Sequence, residues 1–260
     1  MTDKQDRPLS GRRALVTGAS RGIGAAIARK LAGQGADVVL VARGADAIES
    51  LAKELGETGV RALAVPADIT DRSALRAVVD RVADEFGGLD VLVNNAGALP
   101  PAVRAEKVGW DGWDASLGLN LAAPWWLACR AKELMDDRGG VVVNVASTAA
   151  YYPSRGLVAY NVGKAGLVML TRVLALEWAR DGVRVVGVAP GKIDTDLVAP
   201  ILAWAEKREL PLNPQQRIGT SREIADLVAF LVSDQAGYLT GVTVPIDGGE
   251  LLTAGSEPGR

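Results

Sequence analysis

The sequence predicts an α/β fold of the doubly wound kind, a single domain built on a seven-stranded parallel sheet with helices on both faces. Three observations carry this. Short runs rich in β-branched residues alternate along the chain with longer stretches of helical period. The runs are continuously apolar, as in Asp37–Ala42 (DVVLVA), which marks strands covered on both sides. A glycine-rich turn stands between the first strand and the first helix, where such folds cradle phosphate.

In chain order, residues 13–17 (RALVT) are the first strand and residues 23–32 the first helix. Residues 37–42 and 45–55 form the second strand and helix, and residues 61–65 and 73–86 the third pair. Residues 89–93 (LDVLV) are the fourth strand. Residues 113–135 continue as one helix with a local irregularity at Pro124, whose ring interrupts helical hydrogen bonding. Residues 141–145 are the fifth strand, residues 157–180 a long helix, and residues 183–188 the sixth strand. The helix at residues 221–232 is expected to be capped by Ser221, with Glu223 and Ile224 following. Residues 242–246 close the sheet. With no linker, repeat or low-complexity tract, residues 9–252 read as one domain, with frayed ends at 1–8 and 255–260.

Composition removes several function classes. The 260 residues carry 29 Lys plus Arg against 31 Asp plus Glu, so no basic surface for nucleic acid is expected. There is no His, which excludes imidazole metal sites and Ser-His or Cys-His catalysis. The single Cys129 cannot form an internal disulfide and falls in an apolar helical stretch, where an inert core thiol is expected. The polar N-terminus has no apolar signal segment and no run is long enough to span a membrane, so a cytoplasmic location is expected.

Thr17-Gly18-Ala19-Ser20-Arg21-Gly22-Ile23-Gly24 is the turn after the first strand. Its glycines permit positive φ and close backbone approach, and the next helix offers free N–H groups and a positive dipole end to a pyrophosphate. The second strand ends at Ala42, where NAD sites often place an acidic residue. Arg43 follows at once and Arg21 lies in the loop, so a ribose 2′-phosphate is favoured: NADP(H) is expected, with NAD(H) the alternative. Tyr160 and Lys164 share one helix face, where the ammonium is expected to lower the pKa of the phenol and fit it for proton transfer.

These residues together resemble the short-chain dehydrogenase/reductase family, from about Leu9 to Leu252. T-G-x-x-x-G-x-G is matched at Thr17 to Gly24, N-N-A-G at Asn94 to Gly97, the helix Asn at Asn120, and the active-site Ser at Ser147. Tyr160 and Lys164 follow, then Pro190-Gly191 with Ile193 and Thr195, and finally Asp247-Gly248-Gly249. The resemblance implies a Rossmann fold and an NAD(P)-dependent oxidoreductase acting between a carbonyl and an alcohol. It implies Tyr160 as general acid or base, Lys164 as the group that tunes it and holds the nicotinamide ribose, and Ser147 as hydrogen-bond donor to the substrate oxygen. Asn120 would anchor a water joining Lys164 to solvent. Asp68 and Ile69 would meet the adenine, and Asn95, Ala96 and Gly97 would line the cofactor cleft. A homotetramer, or a homodimer, is implied as well.

Substrate signals are thinner. Tyr151 and Tyr152 follow Ser147 and are expected near a small carbonyl or alcohol substrate. Residues 194–212, with Trp204, match the family's variable substrate loop. Trp110, Trp113, Trp125 and Trp126 are expected in core and subunit packing. Lys192 stands where the family usually has an apolar residue; it meets an anionic substrate group or points to solvent. A 3-oxoacyl reductase serving an acyl carrier protein is the alternative activity, weakened by the acidic Met135-Asp136-Asp137-Arg138 where a basic patch is wanted. A non-catalytic dinucleotide sensor on the same fold is the alternative from another class.

Overall fold

Seven parallel strands lie in the order β3-β2-β1-β4-β5-β6-β7. They are β1 (Arg13–Thr17), β2 (Asp37–Ala42), β3 (Ala62–Pro66), β4 (Val91–Asn94), β5 (Gly140–Val145), β6 (Val183–Pro190) and β7 (Thr243–Ile246). This computed structural model describes residues 7–135, 139–195 and 213–253. The expectations for the acidic residues 136–138, for most of the 194–212 loop with Trp204, and for the outer termini lie outside the described residues.

Successive side chains of each strand enter opposite helix layers. Ala14 and Val16 face a layer made by α1 (Gly22–Gly33), α2 (Ala45–Gly56) and α7 (Ser221–Val232). Leu15 faces the other, made by α3 (Arg72–Phe86), α5 (Ala123–Leu134) and α6 (Val158–Trp178). Helix α4 (Trp110–Leu117) packs beside α6, and the one-turn α8 (Glu250–Thr253) follows β7. Burial on both faces explains why the strand sequences are continuously apolar. Because β1 pairs with β2 on one side and β4 on the other, the strand order reverses there. The C-terminal ends of β1 and β4 therefore open a crevice suited to a ligand.

Two expected details change. Residues 113–135 are not one helix: α4 ends at Leu117, a π-type turn spans Gly118–Ala122, and α5 begins at Ala123. The irregularity directly precedes Pro124, which has no N–H to offer the carbonyls of that turn. The cap of α7 is Thr220 rather than Ser221. Its hydroxyl accepts from Glu223 N at 3.2 Å while the Glu223 carboxylate accepts from Thr220 N at 2.8 Å, a reciprocal box that requires the acid three residues after the cap.

Polar groups inside the sheet fix its register. Asn94 donates to Asn144 Oδ1 at 2.9 Å, and Asn144 donates to Thr171 Oγ1 at 2.9 Å, joining β4, β5 and α6 through buried groups. At the N-terminal ends of the neighbouring strands β1 and β4, buried Asp90 accepts from Arg13 N at 2.8 Å, Nε at 2.7 Å and Nη2 at 3.1 Å. Removing the guanidinium would leave a carboxylate stripped of water with much of its compensation gone. Arg13→Met is therefore expected to lower unfolding free energy by about 3 kcal/mol, measured by urea denaturation. A loss no larger than that of an ordinary surface substitution would contradict this account.

Candidate active site

The phosphate loop is shaped by glycines that have no room for a side chain. Gly18 and Gly22 adopt φ of +66° and +55°. A Cβ on Gly18 would lie 2.9 Å from both Ala96 Cα and Asn95 Nδ2, and one on Gly24 would run into the Gly18 carbonyl. Thr17 closes this corner: its hydroxyl accepts from the amides of Asn95 and Ala96, each at 3.0 Å, and donates to Val93 O at 3.3 Å. Asn95 Nδ2 returns to Thr17 O at 2.9 Å. Helix α1 has no side-chain cap and no acid in its first turn, so its N-terminal amides are available to an anion. This donor set fits a dinucleotide pyrophosphate.

Beyond the loop, a cleft of about 1460 Å³ runs along the strand ends. Arg21, Arg43, Asp68 and Ile69 line one end. Asp68 accepts from Thr70 Oγ1 at 2.7 Å and Thr70 N at 2.9 Å. These bonds, with a smaller contribution from the charge of Arg43, hold its carboxyl below the usual range. On the far side, Pro190, Gly191, Ile193 and Thr195 complete the wall. A Cβ on Gly22 would stand 3.3 Å from Thr195 Cγ2, so this segment folds back over the phosphate loop.

Asn120, Ser147, Tyr160 and Lys164 meet in the middle of the cleft. Ser147 leaves the end of β5, and its Oγ accepts from Ala149 N at 3.1 Å as a 3₁₀ turn begins at Thr148–Ala150. Helix α6 then presents Tyr160 and Lys164 four residues apart. Lys164 Nζ donates to Val145 O at 2.9 Å and lies 5.8 Å from the centre of the Tyr160 ring. Asn120 lies in the π-type turn and donates to Ser116 O at 3.0 Å, leaving its buried Oδ1 without a protein partner. A Cβ on Gly97 would fall 3.1 Å from that oxygen and 3.3 Å from Lys164 Nζ. The missing side chain leaves polar space between them, which suits a water.

The electrostatics differ from expectation. Burial raises the Tyr160 phenol above its ordinary value, and a hydrogen bond with Ser147 acts in the other direction. Lys164, wholly buried, is pushed from 10.5 to about 8 by loss of water. The phenol thus answers to burial and to Ser147, and the expected lowering by the Lys164 ammonium is not seen.

Every expected cofactor residue lines the cleft: Gly18, Ser20, Arg21, Gly22, Ile23, Gly24, Arg43, Asp68, Ile69, Asn95, Ala96, Gly97, Pro190, Gly191, Ile193 and Thr195 accompany Tyr160 and Lys164. Tyr151 and Tyr152 do not; both are 43% exposed, because the turn at Thr148–Ala150 carries them outward. Ser154 and Leu157 line the cleft in their stead, with Leu99 and Pro100 from the loop after β4. Lys192 lines it too, but pairs with Glu250 rather than standing in solvent. Glu250 was missed: it directly follows Asp247-Gly248-Gly249, yet nothing local shows that the chain there returns to the cleft. Trp110 and Trp125 are exposed, and Trp126 packs at the second core layer.

A family model described as Enoyl-(Acyl carrier protein) reductase matches residues 18–250. The chain is 40% identical over 239 residues to cis-4-hydroxycyclohexanecarboxylate dehydrogenase of Sinomonas cyclohexanicum, covering 91% of this chain and 95% of that one. It is 39% identical over 249 residues to D-threitol dehydrogenase of Mycolicibacterium smegmatis, covering 94% of each. A solved short-chain dehydrogenase from Burkholderia cenocepacia J2315 in complex with NADP is similar at a TM-score of 0.87 and 38% identity, over 94% of this chain and 99% of that one. The chain belongs to the short-chain dehydrogenase/reductase family.

Burial of Lys164 has a consequence for stability. Between about pH 8 and 10.5 the unfolded chain binds a proton at this group that the folded chain does not, so its contribution makes stability rise with pH across that window. Below the window the fold bears the whole cost of a buried ammonium. Tyr160 has the opposite sign, and only above its ordinary value of 10, where the folded chain retains a proton that the unfolded chain has lost. Urea denaturation of ligand-free protein should show Lys164→Met more stable than wild type at pH 7. The gain is expected at on the order of 1–3 kcal/mol after the lost hydrogen bond to Val145 is subtracted. The gap should narrow towards pH 10; a gap independent of pH would contradict the assignment.

Proposed function

We propose that this member of the short-chain dehydrogenase/reductase family transfers a hydride between NADP(H) and a carbonyl or secondary alcohol, with Tyr160 as the acid in reduction and the base in oxidation. The observation that carries the reading is the convergence of Ser147, Tyr160 and fully buried Lys164 in a cleft that ends at the bare N-terminus of α1.

The nicotinamide, when bound, supplies the hydride donor or acceptor. The protein's part is placement and proton control. Gly18, Ser20, Arg21, Gly22, Ile23 and Gly24 would hold the pyrophosphate, and Asp68 and Ile69 the adenine. Asn95, Ala96, Gly97 and the segment from Pro190 to Thr195 would flank the other half. Ser147 Oγ would donate to the substrate oxygen and polarise it. Tyr160 would pass its proton to that oxygen as negative charge develops there, or take the hydroxyl proton in the reverse direction. Lys164 would stabilise the resulting phenolate in a low dielectric and bond the ribose hydroxyls. A water at Asn120 Oδ1 would reconnect Lys164 to solvent.

Arg21 and Arg43, with Ala42 in place of an acid, support NADP over NAD. So does the NADP-bound relative from Burkholderia cenocepacia. The names of the cyclohexane-carboxylate and threitol dehydrogenases support a small alcohol or carbonyl as substrate. The description of the matching family keeps an acyl-carrier-protein thioester as the second reading. The exposed apolar residues Trp125, Val162, Met169, Val173 and Leu176 on α5 and α6 support subunit packing in a homotetramer or homodimer.

Tyr160→Phe is expected to cut turnover of a ketone panel by about 10²–10⁴-fold, while fluorescence titration shows NADPH binding retained. Undiminished turnover would refute the assignment, and wild-type protein that binds NADPH but reduces no carbonyl would favour a sensor. Arg43→Ala is expected to weaken NADPH by about tenfold and NADH far less. Equal weakening of both would refute the phosphate contact.

A further inference from the structure

Asn161 follows Tyr160 directly in α6 and lies half-buried against the chain that leaves Ser147. Its Nδ2 donates to Ala149 O at 3.0 Å and to Tyr152 O at 3.3 Å. One carboxamide thus holds two carbonyls of the turn between Ser147 and Ser154, both of which line the cleft. An amide nitrogen carries two protons, one for each carbonyl. A flipped amide would set its oxygen against both carbonyls, so the two acceptors fix the orientation. Asn161 Oδ1 is buried and takes no bond among the described residues. An apolar side chain would avoid that cost, so the two donated bonds are what the position requires an amide for.

Ala149 carries the effect to the reactive groups. Its carbonyl is held by Asn161, while its N–H donates to Ser147 Oγ at 3.1 Å. Ser147 in turn hydrogen-bonds the Tyr160 side chain. The contacts close a ring that runs from Tyr160 to Ser147, Ala149 and Asn161 and back to Tyr160 through the peptide bond. A hydroxyl has one proton and two lone pairs. With a lone pair of Ser147 taken by the Ala149 N–H, its proton points elsewhere, available to the phenol or to a substrate oxygen. The backbone bonds from Ala150 N to Ser147 O and from Tyr152 N to Thr148 O, each 3.0 Å, lie within the turn. Among the described residues, the hydrogen bonds that tie residues 148–152 to α6 are those of Asn161.

We propose that Asn161 is a positioning residue for the hydride transfer: by holding the Ala149 carbonyl it keeps Ser147 Oγ at the Tyr160 hydroxyl. This rests on the dehydrogenase reading above and adds a residue to it.

The test is a double-mutant cycle. Asn161→Ala removes the carboxamide, and Asn161→Asp keeps its shape but sets acceptors against the two carbonyls. Each is made in the wild-type and in the Ser147→Ala background, and kcat with NADPH is measured on a panel of cyclic, open-chain and hydroxylated ketones. In the wild-type background each should lower kcat by about 10–100-fold, the loss that a small misplacement of a reacting group causes. NADPH binding, read by fluorescence titration, should be retained. With Ser147→Ala already present, either variant should lower kcat further by about twofold or less, because the group it positions is gone. A residue that serves only the fold would cost the same factor in both backgrounds, and that result overturns the proposal. So does undiminished kcat in a variant that binds NADPH, or loss of NADPH binding in both variants. Each of these leaves the dehydrogenase reading in place. Wild-type protein that binds NADPH but reduces none of the ketones overturns both.

Discussion

Thr17 holds the two halves of the molecule together at the point where the strand order reverses. Its hydroxyl takes the amides of Asn95 and Ala96 and gives its proton to Val93, while Asn95 reaches back to the Thr17 carbonyl. The phosphate loop hangs from β1, whereas Ser147, Tyr160 and Lys164 hang from β5 and α6. Neither half alone makes a cleft. The clip between β1 and β4 sets their separation, and the glycines at 18 and 24 follow from it, because backbone and the Asn95 side chain fill the space a Cβ would need.

Within that frame, dehydration governs the reactive pair. The same burial that lifts Tyr160 drops Lys164, so it draws both towards their neutral forms. Ser147 opposes it on the phenol, and the Val145 carbonyl gives the ammonium a partner. The buried chain from Asn94 through Asn144 to Thr171 keeps α6 in register with the sheet. It acts one layer beneath the site and fixes where the phenol and ammonium come to lie.

How much could be read from the sequence depended on the range of the physics involved. Strands β1 and β2 were legible to the residue because burial on both faces writes a continuous apolar run. The π-type turn at Gly118–Ala122 was legible only as an irregularity near Pro124, since one added residue in a turn barely disturbs the helical period. At α7, Thr220 and Ser221 are both good capping residues, and only the distance to Glu223 separates them. The motif residues of the cleft were legible because their spacing is local. Tyr151 and Tyr152 misled because closeness in sequence to Ser147 says nothing of the direction a 3₁₀ turn imposes. Glu250 and the raised Tyr160 phenol needed tertiary structure, the first for a contact across 58 residues and the second for its burial.

The crowding around Gly18 and Gly24 divides the coenzyme site into a frozen part and an adjustable part. The glycine floor proposed to hold the pyrophosphate leaves no volume for substitution, since any side chain at either position meets backbone or the Asn95 amide. Arg43 and Asp68, proposed to face the adenosine, line the same cleft as exposed residues, where a side chain can change without moving the main chain. Redesign of coenzyme choice, whether by selection or in the laboratory, thus has a narrow route. It runs through the rim, while the floor passes unaltered from one variant to the next.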